Sequence, residues 1–174
     1  MTVFETLQDE VGRWSQENFG NQPAHYPFMG TGEEAGELAD DIQLASPPDE
    51  EELDAVGDIL VYAADFCARR GLDLQGAFDA AQSREPEHAD FFREWTAARG
   101  QLERSVLKRA QGIDSADKYA DGSRVSDIAE QDALARMLCT LNVFAADRGY
   151  TLEDCIQVAW YDEVIDREWD SEFN

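Results

Sequence analysis

Lysine is all but missing from this chain. Lys108 and Lys118 are the only two among 174 residues, and basic residues number 14 in all against 38 acidic ones. The formal charge is −24. A field of that sign repels phosphate, so long-range attraction to nucleic acid or to an anionic membrane is not expected. Cysteine is scarce as well. Cys67, Cys139 and Cys155 make an odd count of 3 with no C-x-x-C spacing, which argues against a disulfide framework and a thiolate zinc site. Each lies in an apolar run and reads as a small buried hydrophobe in a reducing, cytoplasmic compartment. No apolar run approaches the ~20 residues of a membrane helix. The N-terminal "MTVFETLQDE" lacks the basic and apolar regions of a signal peptide. Strand signals are nearly absent.

What is present is helix signal. Hydrophobic residues make up 43% of the chain, enough for a real core. Thr2-x-x-Glu5 reads as a capping box opening a first helix, with Val3, Leu7, Val11 and Trp14 at helical spacing. Pro23 and Pro27 mark 20–30 as a loop. A second helix is expected over 32–45. Ser46-Pro47-Pro48-Asp49 reads as a cap with proline in the first turn of a third helix. That helix is expected to run to Arg70 and stop at Gly71, burying Val56, Ile59, Leu60, Ala63, Phe66 and Cys67. A fourth is expected to follow Asp73 and end near Ser83, before Pro86. A longer connection is expected over 113–124.

The second half echoes the first. "LVYAADFCARRGLDLQGAFDAAQ" (60–82) resembles "LCTLNVFAADRGYTLEDCIQVAW" (138–160). Phe66 aligns with Phe144, Arg70-Gly71 with Arg148-Gly149, and Leu74 with Leu152. Upstream, Gly36-Glu37-Leu38 aligns with Gly100-Gln101-Leu102, and Asp54-Ala55 with Asp132-Ala133. The constant offset shared by Phe66, Arg70-Gly71 and Leu74 points to duplication. The expected plan is an all-α single domain with an internal tandem repeat: 1–88 as the catalytic half, and 89–174 as a degenerate copy packed on it. The copies differ at charged positions. Glu34 falls opposite Ala98, Glu37 opposite Gln101, and Asp58 opposite Arg136.

"GEEAGELADD" (32–41) sets Glu33, Glu34, Glu37, Asp40 and Asp41 in one short helical run. Like charges one turn apart repel. A salt-adapted surface is one explanation, since a high-salt cytosol would screen the dense acid. An acidic mimic of nucleic acid that occupies a basic partner is another. A third is a cation cage: Glu34 and Glu37 share a face, and Asp54 and Asp58 share a face of the next helix, with Tyr62 one turn on. Oxygen-only ligands of this kind favour magnesium or manganese over zinc. Aromatic side chains such as Trp14, His25 and Tyr62 are candidates to line a base pocket by stacking.

The order "EEAGE" (33–37), then "DAVGDILVY" (54–62), then "RRGLDL" (69–74), resembles the MazG-like all-α nucleoside triphosphate pyrophosphohydrolases. That family includes the dimeric dUTPases and dCTP pyrophosphatases. "EVGRWSQENFG" (10–20) is similar to its first helix. The resemblance implies a MazG-like helical bundle, here with the two repeats forming an intramolecular pseudo-dimer, and cleavage of a nucleoside triphosphate to monophosphate and pyrophosphate with Mg²⁺, Mn²⁺ substituting. It implies Glu34, Glu37 and Asp58 as metal ligands. The family's E-x-x-D would place Glu at 55, where this chain has Ala55, and Asp54 stands in for it. Glu33 or Glu34 would serve as base for the attacking water. Trp14, His25, Tyr62 and Arg70 would contact substrate. The expected partners are the triphosphate and a second copy of the chain in a homodimeric pseudo-tetramer, with no nucleic acid and no membrane. The alternative is a helical regulatory or interaction module that kept the fold and lost catalysis.

Overall fold

The structure, a computed structural model, describes residues 1–42, 46–113 and 125–165. The expected connection over 113–124 falls outside them apart from Ile113, as does Ala45 at the expected end of the second helix. The described residues are helical, with no strand among them. The helices are α1 (Val3–Phe19), α2 (His25–Asp41), α3 (Glu50–Arg70), α4 (Leu74–Gln82), α5 (Phe91–Ala110), α6 (Val125–Arg148) and α7 (Leu152–Ile156). A π-helical segment, Gln157–Val164, follows α7. No helix among the described residues is long and apolar enough to cross a membrane.

Local chemistry sets most of the boundaries. The Thr2 hydroxyl accepts from the Glu5 amide while the Glu5 carboxylate accepts from the Thr2 amide, which completes the capping box of α1. Gly71, in the left-handed region at φ 65°, ends α3, and Gly149 at φ 93° follows the end of α6. Two expectations are corrected. α2 starts at His25, seven residues before the sequence reading placed it, so His25 and Tyr26 lie on a helix rather than in a loop. Pro27 falls in its first turn, where an amide N–H has no intrahelical acceptor to lose. α3 is capped by Asp49, whose carboxylate accepts from the Glu52 amide at 3.0 Å, so Ser46 is not the cap and both prolines lie outside the helix.

The chain forms two compact units. The first holds Met1–Leu74 and the segment beginning at Arg148; the second holds Gln75–Asp147. In the first, α3 lies at the centre and buries the stripe the spacing predicts, Val56 through Cys67. α1 and α2 both run antiparallel to it. Gly12 faces Ala68 and Ser15 reaches Asp65, while Gly30 faces Tyr62 further along. α1 buries Leu7 and Val11 as expected, but at its ends Phe4 and Ser15 turn to the core in place of Val3 and Trp14, and Val3 is exposed. α7 and the π-helical segment run parallel to α3 and come so close that a Cβ on Gly57 would lie 2.3 Å from the Cys155 carbonyl oxygen. The fully buried Trp160 closes this side. Each such large side chain contributes about 1.5–3 kcal/mol by leaving water.

A polar network is buried beside Asp65 in this unit. Ser15 Oγ donates to Asp65 at 2.8 Å, and Arg69 Nε donates to the other Asp65 oxygen at 2.8 Å. Arg69 also donates to the carbonyls of Gly20 and Gln22 at 3.1 and 3.0 Å, holding the α1–α2 connection to α3.

The second unit packs α5 and α6 around Trp95, Ala98, Leu102, Met137, Leu138 and Phe144. Phe91 stacks on Phe144 with centroids 4.2 Å apart. α6 is buried on all sides over 133–141, which is why its apolar residues do not gather on one face. All three cysteines are buried.

Candidate functional site

The acids of α2 and α3 meet along the line where these two helices pack. Glu34 is the inward one, only 8% exposed, because Ala35 and Leu38 beside it turn the same side of α2 into the core. Glu33 and Glu37 are exposed. Asp54 and Asp58, one turn apart on α3, are half-buried. Burial first, then Asp58, Glu33, Glu37 and Asp54, in that order, raise the Glu34 carboxyl to about 8. Glu37, Asp54 and Asp58 are the acids expected to share a cation with Glu34, and Glu33 is the other candidate base. Tyr62 belongs to the same cluster. Burial first, then Glu34, Glu33, Asp58 and Glu37 push its phenol up to about 12.

The remaining sequence candidates sit elsewhere in the unit. Trp14 is half-buried and meets Phe19 and Trp160 edge-on, with centroids 5.5 and 5.7 Å away. His25 opens α2, edge-on to Tyr26, about 13 Å along the axis from Glu34 at 1.5 Å per residue. Arg70 closes α3, about 12 Å past Tyr62 by the same rise. Arg69, next to Arg70, is committed to Asp65, Ser15 and two carbonyls.

Ala55 lines a small cavity of about 170 Å³ together with Glu37, Asp49, Glu51 and Asp54. The space a longer side chain at 55 would take is therefore bordered by acids, and Asp54 both borders it and acts on Glu34. The larger cleft, about 770 Å³, lies on the other side of α1 between Gln8, Gln16, Gln22 and Arg69, and holds none of the acid cluster.

The donor set is carboxylate oxygen with one buried member, which is chemistry suited to Mg²⁺ or Mn²⁺. Among the described residues no three His, Cys, Asp or Glu side chains converge to metal-holding positions.

In the second unit, the positions aligned with these acids carry different chemistry. Ala98 is buried and Gln101 exposed. Arg136 donates from Nε and Nη2 to the two oxygens of the buried Glu94, at 2.8 and 3.2 Å. It also reaches Glu87 at 3.1 Å. Sequence spacing could not reveal this pair, since its members lie on different helices with no local signature. Glu52 and Glu130 were missed for the same reason. Glu52 accepts from Arg148 and Tyr150, and Glu130 from Arg109. No protein-family model, curated protein or solved structure matches the chain.

Proposed function

We propose that the chain is a Mg²⁺-dependent nucleoside triphosphate pyrophosphohydrolase on a MazG-like helical bundle, releasing monophosphate and pyrophosphate. The observation that carries this reading is the buried Glu34 ringed by Glu33, Glu37, Asp54 and Asp58, each of which raises its pKa. A structural ion pair would have supplied an arginine, as Glu94 has. A cluster left with excess negative charge at neutral pH suits a divalent cation and its anionic ligand. Glu34, Glu37, Asp54 and Asp58 would hold the ion. Bound Mg²⁺ supplies neutralisation of the triphosphate oxygens, without which a chain of charge −24 would repel the substrate. Glu33, exposed at the rim, is the better placed of the two candidate bases for an attacking water. Tyr62 offers a protonated donor across the neutral range.

We read the two halves as a duplication that kept the packing and lost one site. Gly71 and Gly149 both follow a helix end at positive φ, and Leu74 and Leu152 are both buried as the next helix opens. Glu52 and Glu130, which align at the same offset, are both buried and both paired with arginine.

The deciding experiment incubates each NTP and dNTP with Mg²⁺ across a range of KCl and assays both products. Monophosphate with equimolar pyrophosphate supports the reading. Orthophosphate alone, or no turnover at any salt, ends it. A second reading, an inactive helical module of the same fold, draws on Ala55 and on carboxylates that do not converge. Absence of Mn²⁺ binding that depends on Glu34 and Asp58 would favour the module.

A further inference from the structure

Glycine is a poor residue for a helix interior, yet α2 places Gly30 one turn before Glu34. Its backbone is ordinary: φ is not positive, so no turn calls for glycine. What calls for it is a neighbouring ring. A Cβ on Gly30 would lie 2.5 Å from Cε1 of Tyr62 and 2.6 Å from its Cδ1 and Cζ. Three ring atoms at nearly equal distance mean that the flat of the ring covers the glycine. The ring so seated feels Glu34, Glu33, Asp58 and Glu37.

We propose that Gly30 is a positioning residue: its missing side chain forms the seat that holds the Tyr62 ring against α2 and keeps the phenolic O–H among the carboxylates of Glu34 and Asp58. Tyr62 is half-buried, with part of its side chain open to solvent, so a methyl at position 30 would displace the ring outward rather than force the helices apart. The helix survives and the donor leaves the cluster. The aligned positions of the second half are Glu94 and Thr140, a large residue on the first helix and a small one on the second. There Glu94 is taken by Arg136 and no such seat exists.

The effect on turnover rests on the proposed pyrophosphohydrolase activity; the seat itself does not. The test compares Gly30→Ala, Tyr62→Phe and their double variant in the full chain. Helix content is followed by circular dichroism and the Tyr62 ring by its carbon-13 resonance, assigned from Tyr62→Phe. Gly30→Ala is expected to keep its helix content, move the Tyr62 resonance toward that of exposed tyrosine, and lower kcat/KM about tenfold. Tyr62→Phe should cost a similar factor, and the double variant no more than the worse single. Additive losses, or an unmoved resonance, overturn the proposal. If the wild type cleaves no triphosphate, the functional reading fails alone, and melting temperatures judge the seat. Gly30→Ala should then lower the melting temperature when Tyr62 is present and raise it in a Tyr62→Ala background, because alanine favours helix once nothing fills its place. Equal loss in both backgrounds overturns the seat.

Discussion

The two units dispose of a buried glutamate in opposite ways. In the second, Glu94 faces a guanidinium that meets both its oxygens, and the hydrogen bonds from Arg136 hold its carboxyl below the usual range. In the first, Glu34 faces four more acids, and burial with their repulsion raises it to about 8. A permanent counter-charge closes a site: the charge is settled at folding and nothing further is bound. A deficit left open can be settled only by a proton or a cation from solution. On the proposed function, the difference separates a structural acid from one kept for exchange.

The sharpest way to break the comparison is to remove one open charge. Glu37→Gln keeps the shape and should reduce triphosphate cleavage at least a hundredfold, with helix content intact by circular dichroism. Asp40→Asn, on the exposed side of α2, should change it less than twofold. Equal damage from both would show that the acids act only as a diffuse field. Next in size is the closed pair. Arg136→Met strands a buried carboxylate and should lower unfolding free energy by about 3–5 kcal/mol in urea titration. Adding Glu94→Leu should recover most of that loss. A single variant within about 1 kcal/mol of wild type would mean the pair contributes little.

A smaller effect separates the units by pH. Glu34 has its folded pKa raised, so the folded chain binds a proton that the unfolded one releases above 4.5. Its contribution is fully present below about 4.5 and declines until about 8. Glu94 has its folded pKa lowered, so its contribution is present above 4.5 and lost on acidification. Without metal, stability should therefore fall from pH 5 to 8, and Glu34→Gln should flatten that slope by on the order of 2–3 kcal/mol. A slope unchanged in Glu34→Gln would assign the pH dependence elsewhere. Smallest is the response to salt. Screening relieves self-repulsion, so the melting temperature should climb by several degrees as KCl rises into the molar range, and a flat curve would remove salt adaptation as a reason for the acid.

The sequence shows some of this plainly and hides the rest for identifiable reasons. α3 was legible in its apolar stripe and its Gly71 stop, because both signals are local and strong, while its start was read three residues early at Ser46 instead of Asp49. α2 was mis-started because Pro27 reads as a breaker unless it is known to occupy a first turn. Glu33 and Glu34 could not be told apart by motif, since both satisfy it; burial distinguishes them, through Ala35 and Leu38 on the inner side. Gly30 passed as a loop residue, as its reason for being glycine lies on α3, 32 positions away. The pairs Arg136–Glu94 and Arg148–Glu52 were invisible for the same reason: only folding brings their members together.

The Arg69 cuff has a consequence for how the first unit opens. Its guanidinium ties the carbonyls of Gly20 and Gln22 to Asp65 inside α3, and Gln8 ties α1 to the backbone of Leu72 and Leu74. Connections between helices usually fray before the helices do. Here the α1–α2 connection is fastened to the central helix, so it cannot loosen unless the last turns of α3 loosen with it. α1, the connection and the end of α3 should exchange their amide hydrogens as one cooperative block, slower than an exposed turn of that length would by itself.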